Sequence, residues 1–148
     1  MPGHLQYSEH KFHTGCQMQI RVYYEDTDAA GVVYHSNYLN YCERARTEFL
    51  RERDYSVAEL AASGTVFPVA RMEIDFKAPA RHDDLLRIVT VPLRVGGASF
   101  TMRQQVLRES DNCLLVELLV TLACVTPSLK ARRIPSAVRD LLIAGVDE

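Results

Sequence analysis

From Thr65 to Thr126 the apolar residues of this chain recur at every second position, whereas over Tyr38–Arg53 they recur at every third or fourth. That single change of period fixes most of the architecture. Upstream, Tyr38–Arg53 carries Leu39, Cys42, Ala45, Phe49 and Leu50 on one stripe, which predicts one long amphipathic helix. Downstream, Ala70, Met72, Ile74, Phe76 and Ala78 alternate with Arg71, Glu73, Asp75 and Lys77, a strand with one wet face. Leu85–Val95 continues the pattern, and Pro92 inside it demands an edge, a bulge or a bend. Gly96-Gly97 turns the chain into Ser99–Glu109, and Ser110-Asp-Asn112 turns it again. Cys113–Thr126 is the most apolar of these strands, which places it centrally with both faces covered. A further strand precedes the helix: Met18, Ile20 and Val22 alternate with Gln17, Gln19 and Arg21 within Cys16–Tyr24.

Two short helices complete the order. Ser56 and Glu59 make an S-x-x-E start, and Gly64 suits the residue just past its end. Pro135 opens a terminal helix bearing Ala137, Val138, Leu141 and Leu142. One apolar-faced helix beside about five antiparallel strands is an α+β sandwich, with the sheet curved around the helix. Its edge strands need cover, and pairing with a second copy supplies it, so a dimer is expected.

Composition narrows the class. With 148 residues the chain reads as one domain, 16–148, behind a polar leader at 1–15. A net charge of -2 argues against a general nucleic-acid binder. No run of about 18 apolar residues marks a membrane span. The leader has no apolar signal core, and the four Cys show no C-x-x-C spacing. Together these lead to a cytoplasmic protein with reduced thiols. No metal-ligand spacing is present on a periodic helix, so no metal and no separate cofactor are expected.

Glu25–Asn37 joins the first strand to the long helix and concentrates chemistry. A helix start presents unsatisfied N–H groups and a positive dipole end, suited to an oxygen gaining negative charge. Gly31 permits a tight turn or a close approach to a ligand. Asp28 is an ordinary carboxylate, able to activate water or to attack directly. His35 is placed to donate a hydrogen bond or to orient Asp28. The structural alternatives are plain ones: an Asp in such a loop commonly makes an Asx turn, and Ser36 or Asn37 is a natural helix cap. Tyr34 and Tyr38 serve equally well in packing or in a pocket wall.

The stretch Arg21-Val-Tyr-Tyr-Glu-Asp-Thr-Asp-Ala-Ala-Gly-Val-Val-Tyr-His-Ser-Asn-Tyr38, running on into Tyr41–Leu50, closely resembles the hotdog-fold acyl-CoA thioesterases. Within them it resembles the 4-hydroxybenzoyl-CoA thioesterase group, nearest the YbgC-like subgroup associated with the bacterial Tol–Pal system. The likeness continues through Phe76–Arg81 and Lys130–Pro135, over residues 16–140. It implies a hotdog fold, hydrolysis of acyl-CoA, a catalytic carboxylate at Asp28 and a catalytic-site histidine at His35. It implies an oxyanion amide near His35, motif positions at Tyr34 and Asn37 that join Gly31 as substrate-binding candidates, and sites built between subunits of a dimer or dimer of dimers. Ala30 stands where many relatives carry Gly. CoA phosphates need cations, for which Arg81, Lys130, Arg132 and Arg133 are candidates. Acyl-carrier protein is a further expected donor or partner. Two other readings compete: a hotdog enoyl-CoA hydratase or dehydratase, and a non-enzymatic acyl-carrier or envelope-complex binding module.

Overall fold

A computed structural model describes residues 16–146; the leader expected at 1–15 lies outside the described residues. The elements follow in order: β1 (Cys16–Arg21), α1 (His35–Arg51), α2 (Val57–Ala62), β2 (Val69–Phe76), β3 (Leu85–Val95), β4 (Ser99–Arg108), β5 (Cys113–Ala123) and α3 (Ser136–Ala144). The five strands form one antiparallel sheet ordered β1-β3-β4-β5-β2. α1 lies on one face of it. Tyr38, Tyr41, Cys42, Ala45 and Phe49 of α1 are buried. Leu86, Ile88, Val106, Val116, Leu118 and Val120 of the sheet join them in one core. Burying each large apolar side chain contributes about 1.5–3 kcal/mol, so this stripe is the principal stabilising contact of the fold.

The structure corrects three details of the sequence reading. α1 begins at His35, three residues before the Tyr38 start that the periodicity gives. β4, not β5, is the middle strand of the five. β5 buries Val116, Leu118, Val120 and Leu122 toward α1, while Glu117, Leu119 and Thr121 on its other face are only half-buried. Pro92 takes the bulge option. The register shifts between Pro92 and Arg94, the local irregularity at which a strand tolerates a residue without an N–H.

α2 is closed as its sequence implies. Ser56 Oγ accepts from the Glu59 N–H at 3.2 Å. At the other end Gly64 takes φ +101, and the N–H groups of Gly64 and Thr65 return to the carbonyls of Ala61 and Leu60. β2 is an edge strand that pairs only with β5 among the described residues. Its ends are open, with Val69 46% and Phe76 52% exposed.

Candidate active site

The loop between β1 and α1 is a small hairpin. The carbonyl of Asp28 accepts from Gly31 N–H, and the N–H of Asp28 donates to Val32, both at 2.9 Å. Gly31 takes φ +82 at the corner. A Cβ there would meet no atom within 4 Å, so the backbone conformation, not space, calls for glycine. Ala29 and Ala30 are not among the positive-φ residues, so an alanine at 30 is accommodated without strain. The Asp28 side chain makes the Asx turn expected of a loop Asp: its Oδ1 accepts from Ala30 N–H at 2.8 Å. The carboxylate is nonetheless exposed. The turn therefore orients the acid rather than consuming it.

Long-range bonds fix this hairpin against the helix start. Tyr34 N–H and Asn37 Nδ2 both donate to the Asp26 carbonyl, at 2.9 and 2.8 Å. Asp26 Oδ2 accepts from Tyr23 N–H at 2.9 Å. Val33 N–H donates to the Ala80 carbonyl, and Ala80 N–H donates to the buried Tyr38 hydroxyl at 3.0 Å. The Asn37 amide is thereby a tether to the loop, not the helix cap. Ser36 gives no cap either: Tyr34 is the N-cap residue, with no side-chain cap bond. Asn37 N–H donates to the Tyr34 carbonyl, but the N–H groups of His35 and Ser36 find no acceptor among the described residues.

The first of these residues, His35, lines a cleft of about 350 Å³. Asp28, Val32, His35 and Tyr38 line one side; Phe76, Lys77, Ala78 and Pro79 line the other. His35 is exposed, its ring 4.4 Å from that of Tyr34 and 6.4 Å from that of Phe76. An exposed carboxylate, an imidazole and an uncapped helix start thus share one opening. The dipole of α1 adds to the open His35 amide there, which favours an oxyanion.

Of the residues singled out in the sequence, Asp28 and His35 come together in the cleft. Gly31 shapes the hairpin, and Tyr34 and Asn37 set the helix entry. Arg81 pairs through its backbone with Val32 and is exposed beside the loop, with no ion pair among the described residues. Arg132 and Arg133 do not reach this chain's cleft. Arg132 Nη1 donates to the Gly64 carbonyl at 2.8 Å, tying the chain after β5 to the end of α2. The Arg133 guanidinium lies against Gly97 in the β3–β4 turn. Lys130 is exposed in the same segment. Phe76 and Lys77 are cleft residues to which the sequence reading gives no role. The available signal was an apolar–basic pair at the end of an alternating strand, where the covering helix has run out.

Comparison with known proteins agrees with this geometry. The thioesterase superfamily model, 4HBT, matches residues 30–114. Acyl-CoA thioester hydrolase YbgC of Escherichia coli O6:H1 is 43% identical over 120 residues, covering 80% of this chain and 89% of the relative. Acyl-CoA thioesterase YbgC of Haemophilus influenzae is 41% identical over 112 residues, covering 75% and 81%. A crystal structure of a probable thioesterase from Bartonella henselae superposes with a TM-score of 0.77 at 42% identity, covering 82% of this chain and 99% of that one. The chain belongs to the 4HBT thioesterase superfamily, and its sheet and helix are the hotdog fold of that family.

Proposed function

We propose that this protein hydrolyses acyl-CoA thioesters to the free acid and CoA. The observation that carries the reading is that the exposed Asp28 and His35, whose amide at the start of α1 is unpartnered, line one cleft. The thioester carbonyl oxygen points at that amide, which stabilises the negative charge of the tetrahedral adduct. Asp28 acts from the other side. As a general base it takes a proton from water while the water oxygen bonds to the carbonyl carbon. As a nucleophile its own oxygen forms that bond, and water then hydrolyses the anhydride. In both routes the C–S bond breaks and CoA leaves as a thiolate that takes up a proton. His35 orients the carbonyl or Asp28. Lys77 and Arg81, near the opening and free of ion pairs among the described residues, suit the CoA phosphates.

The open β2 edge supports a homodimer that continues the sheet through a second copy, and dimers of dimers are compatible with the half-buried outer face of β5. Acyl-carrier protein is, on this reading, an alternative donor of the acyl thioester. No helix among the described residues is long and apolar enough to cross a membrane. Cytoplasmic residence is part of this proposal.

Thiol release measured over aliphatic and aromatic CoA esters tests the reading, with free thiol expected. Incubation with crotonyl-CoA separates it from hydration: a 3-hydroxyacyl-CoA product with no free thiol would overturn it. Label in the Asp28 carboxylate after a single turnover in ¹⁸O-water establishes the nucleophilic route, with water adding to the aspartyl carbonyl of the anhydride.

A further inference from the structure

A second cavity lies beside the C-terminal half of α1, with a volume of about 140 Å³. Phe49, Leu50, Phe67, Phe100, Met102 and Leu142 supply its apolar wall. A cavity of roughly this size, about 150 Å³, holds one benzene ring. The space therefore suits one six-membered ring or a short alkyl segment.

One wall breaks the apolar character. Arg46 is half-buried there, and its Nη1 donates to Gln104 Oε1 at 2.9 Å. Gln104 is completely buried, and its Nε2 donates to both Thr90 Oγ1 and the Cys42 carbonyl at 2.9 Å. The amide is thus fully engaged, and its oxygen is held toward Arg46. Arg46 makes no ion pair among the described residues, and its other guanidinium N–H groups have no acceptor there. Burial lowers the guanidinium pKa from its usual value, a measure of how poorly the site solvates the charge. Glu43, on the same wall, accepts from the Thr47 hydroxyl at 2.9 Å; its charge partly offsets the burial of Arg46 without forming an ion pair with it. A desolvated donor without an acceptor is costly, and an oxygen on a bound molecule would relieve that cost.

The position of the cavity links it to the cleft. Thr65, Val66 and Phe67, which precede β2, line the cavity; Phe76–Pro79, at and after the end of β2, line the cleft. When two β2 edges pair antiparallel about a twofold axis, the segment before β2 in one chain runs beside the segment after β2 in the other. The cavity of one chain then faces the cleft of its partner.

We propose that this cavity is the acyl-tail subsite and that Arg46 is a specificity-determining residue, favouring short acyl groups whose far end carries an oxygen acceptor over plain alkyl groups of equal length. The inference rests on the acyl-CoA reading and names the substrate class for it. Plain, ω-carboxy and (ω−1)-oxo acyl-CoA esters from about four to eight carbons provide the test, with kcat/KM measured for each on the full-length protein.

At one chain length an oxygenated ester is expected to exceed its plain counterpart by about tenfold, mainly through KM. Arg46→Met brings that ratio close to one, and Arg46→Lys restores part of it. A wild-type enzyme that treats plain esters equally well or better at every length would overturn the assignment. So would an Arg46→Met loss equal for all esters, which is the mark of a purely structural arginine. If no thioester is hydrolysed, the hydrolase reading fails, and the cavity is judged separately. Titration of free pentanoate and glutarate into the protein, followed by NMR shifts, then decides. Saturable binding abolished by Arg46→Met supports the subsite, and no saturable binding at millimolar concentrations refutes it.

Discussion

The two ends of α1 are finished in opposite ways. At the C-terminal end nearly everything is satisfied. Asp54 takes φ +69, and the N–H groups of Asp54 and Tyr55 return to the carbonyls of Arg51 and Leu50. Arg53 Nη1 donates to the Phe49 carbonyl at 3.0 Å, and its guanidinium lies 3.8 Å from the centroid of the Phe49 ring. Arg51 pairs with Glu48. At the N-terminal end the cap residue is a tyrosine, no side chain reaches the first turn, and two amides are left open. The same helix is thus anchored at one end and left reactive at the other. Stability and chemistry are separated by the length of a single element.

That contrast can be broken experimentally, from its strongest element to its weakest. Phe49→Ala empties a fully buried position at the anchored end and is expected to cost about 3–5 kcal/mol in chemical denaturation. A cost below about 1 kcal/mol would mean that the stripe does not hold the sheet. Asp28→Ala at the reactive end is expected to lower kcat by at least about 100-fold with little change in melting temperature, because the side chain is exposed. Unchanged turnover in a folded variant removes Asp28 from the mechanism.

Tyr34→Asp sharpens the comparison by giving the open end a cap. Its carboxylate competes for the Ser36 N–H, so stability should rise by about 1 kcal/mol while turnover falls about tenfold. A stabilised variant with full activity would show that the open amides are not the oxyanion site. Asp54→Gly relaxes the left-handed position at the anchored end, and a gain of less than about 1 kcal/mol in stability with unaltered kinetics is expected.

What could be read from the chain follows the range of the forces involved. The stripe Cys42, Ala45, Phe49 and the alternation from Met72 to Leu122 are local patterns, and they yield the helix, the strands and the sandwich without coordinates. Asp28 and His35 are legible because their motif is contiguous. The start of α1 is not, because the best cap residue nearby, Asn37, gives its amide to the Asp26 carbonyl eleven positions earlier. Arg132 looks like a free cation until Gly64, sixty-eight positions away, is seen to accept from it. Phe76 looks like core until the strand order places it at an edge, 52% exposed. The Arg132 and Phe76 misses turn on tertiary placement that no local window of sequence contains.

The bare ribbon of β2 also has a kinetic meaning. Its outer N–H and C=O groups, without a strand partner among the described residues, offer a template to any extended segment that arrives first, whether a sister chain or a stranger. Meeting a sister is second order in protein, while fraying and degradation are first order. Should the proposed homodimer form through this edge, its assembly slows with dilution while unimolecular loss does not.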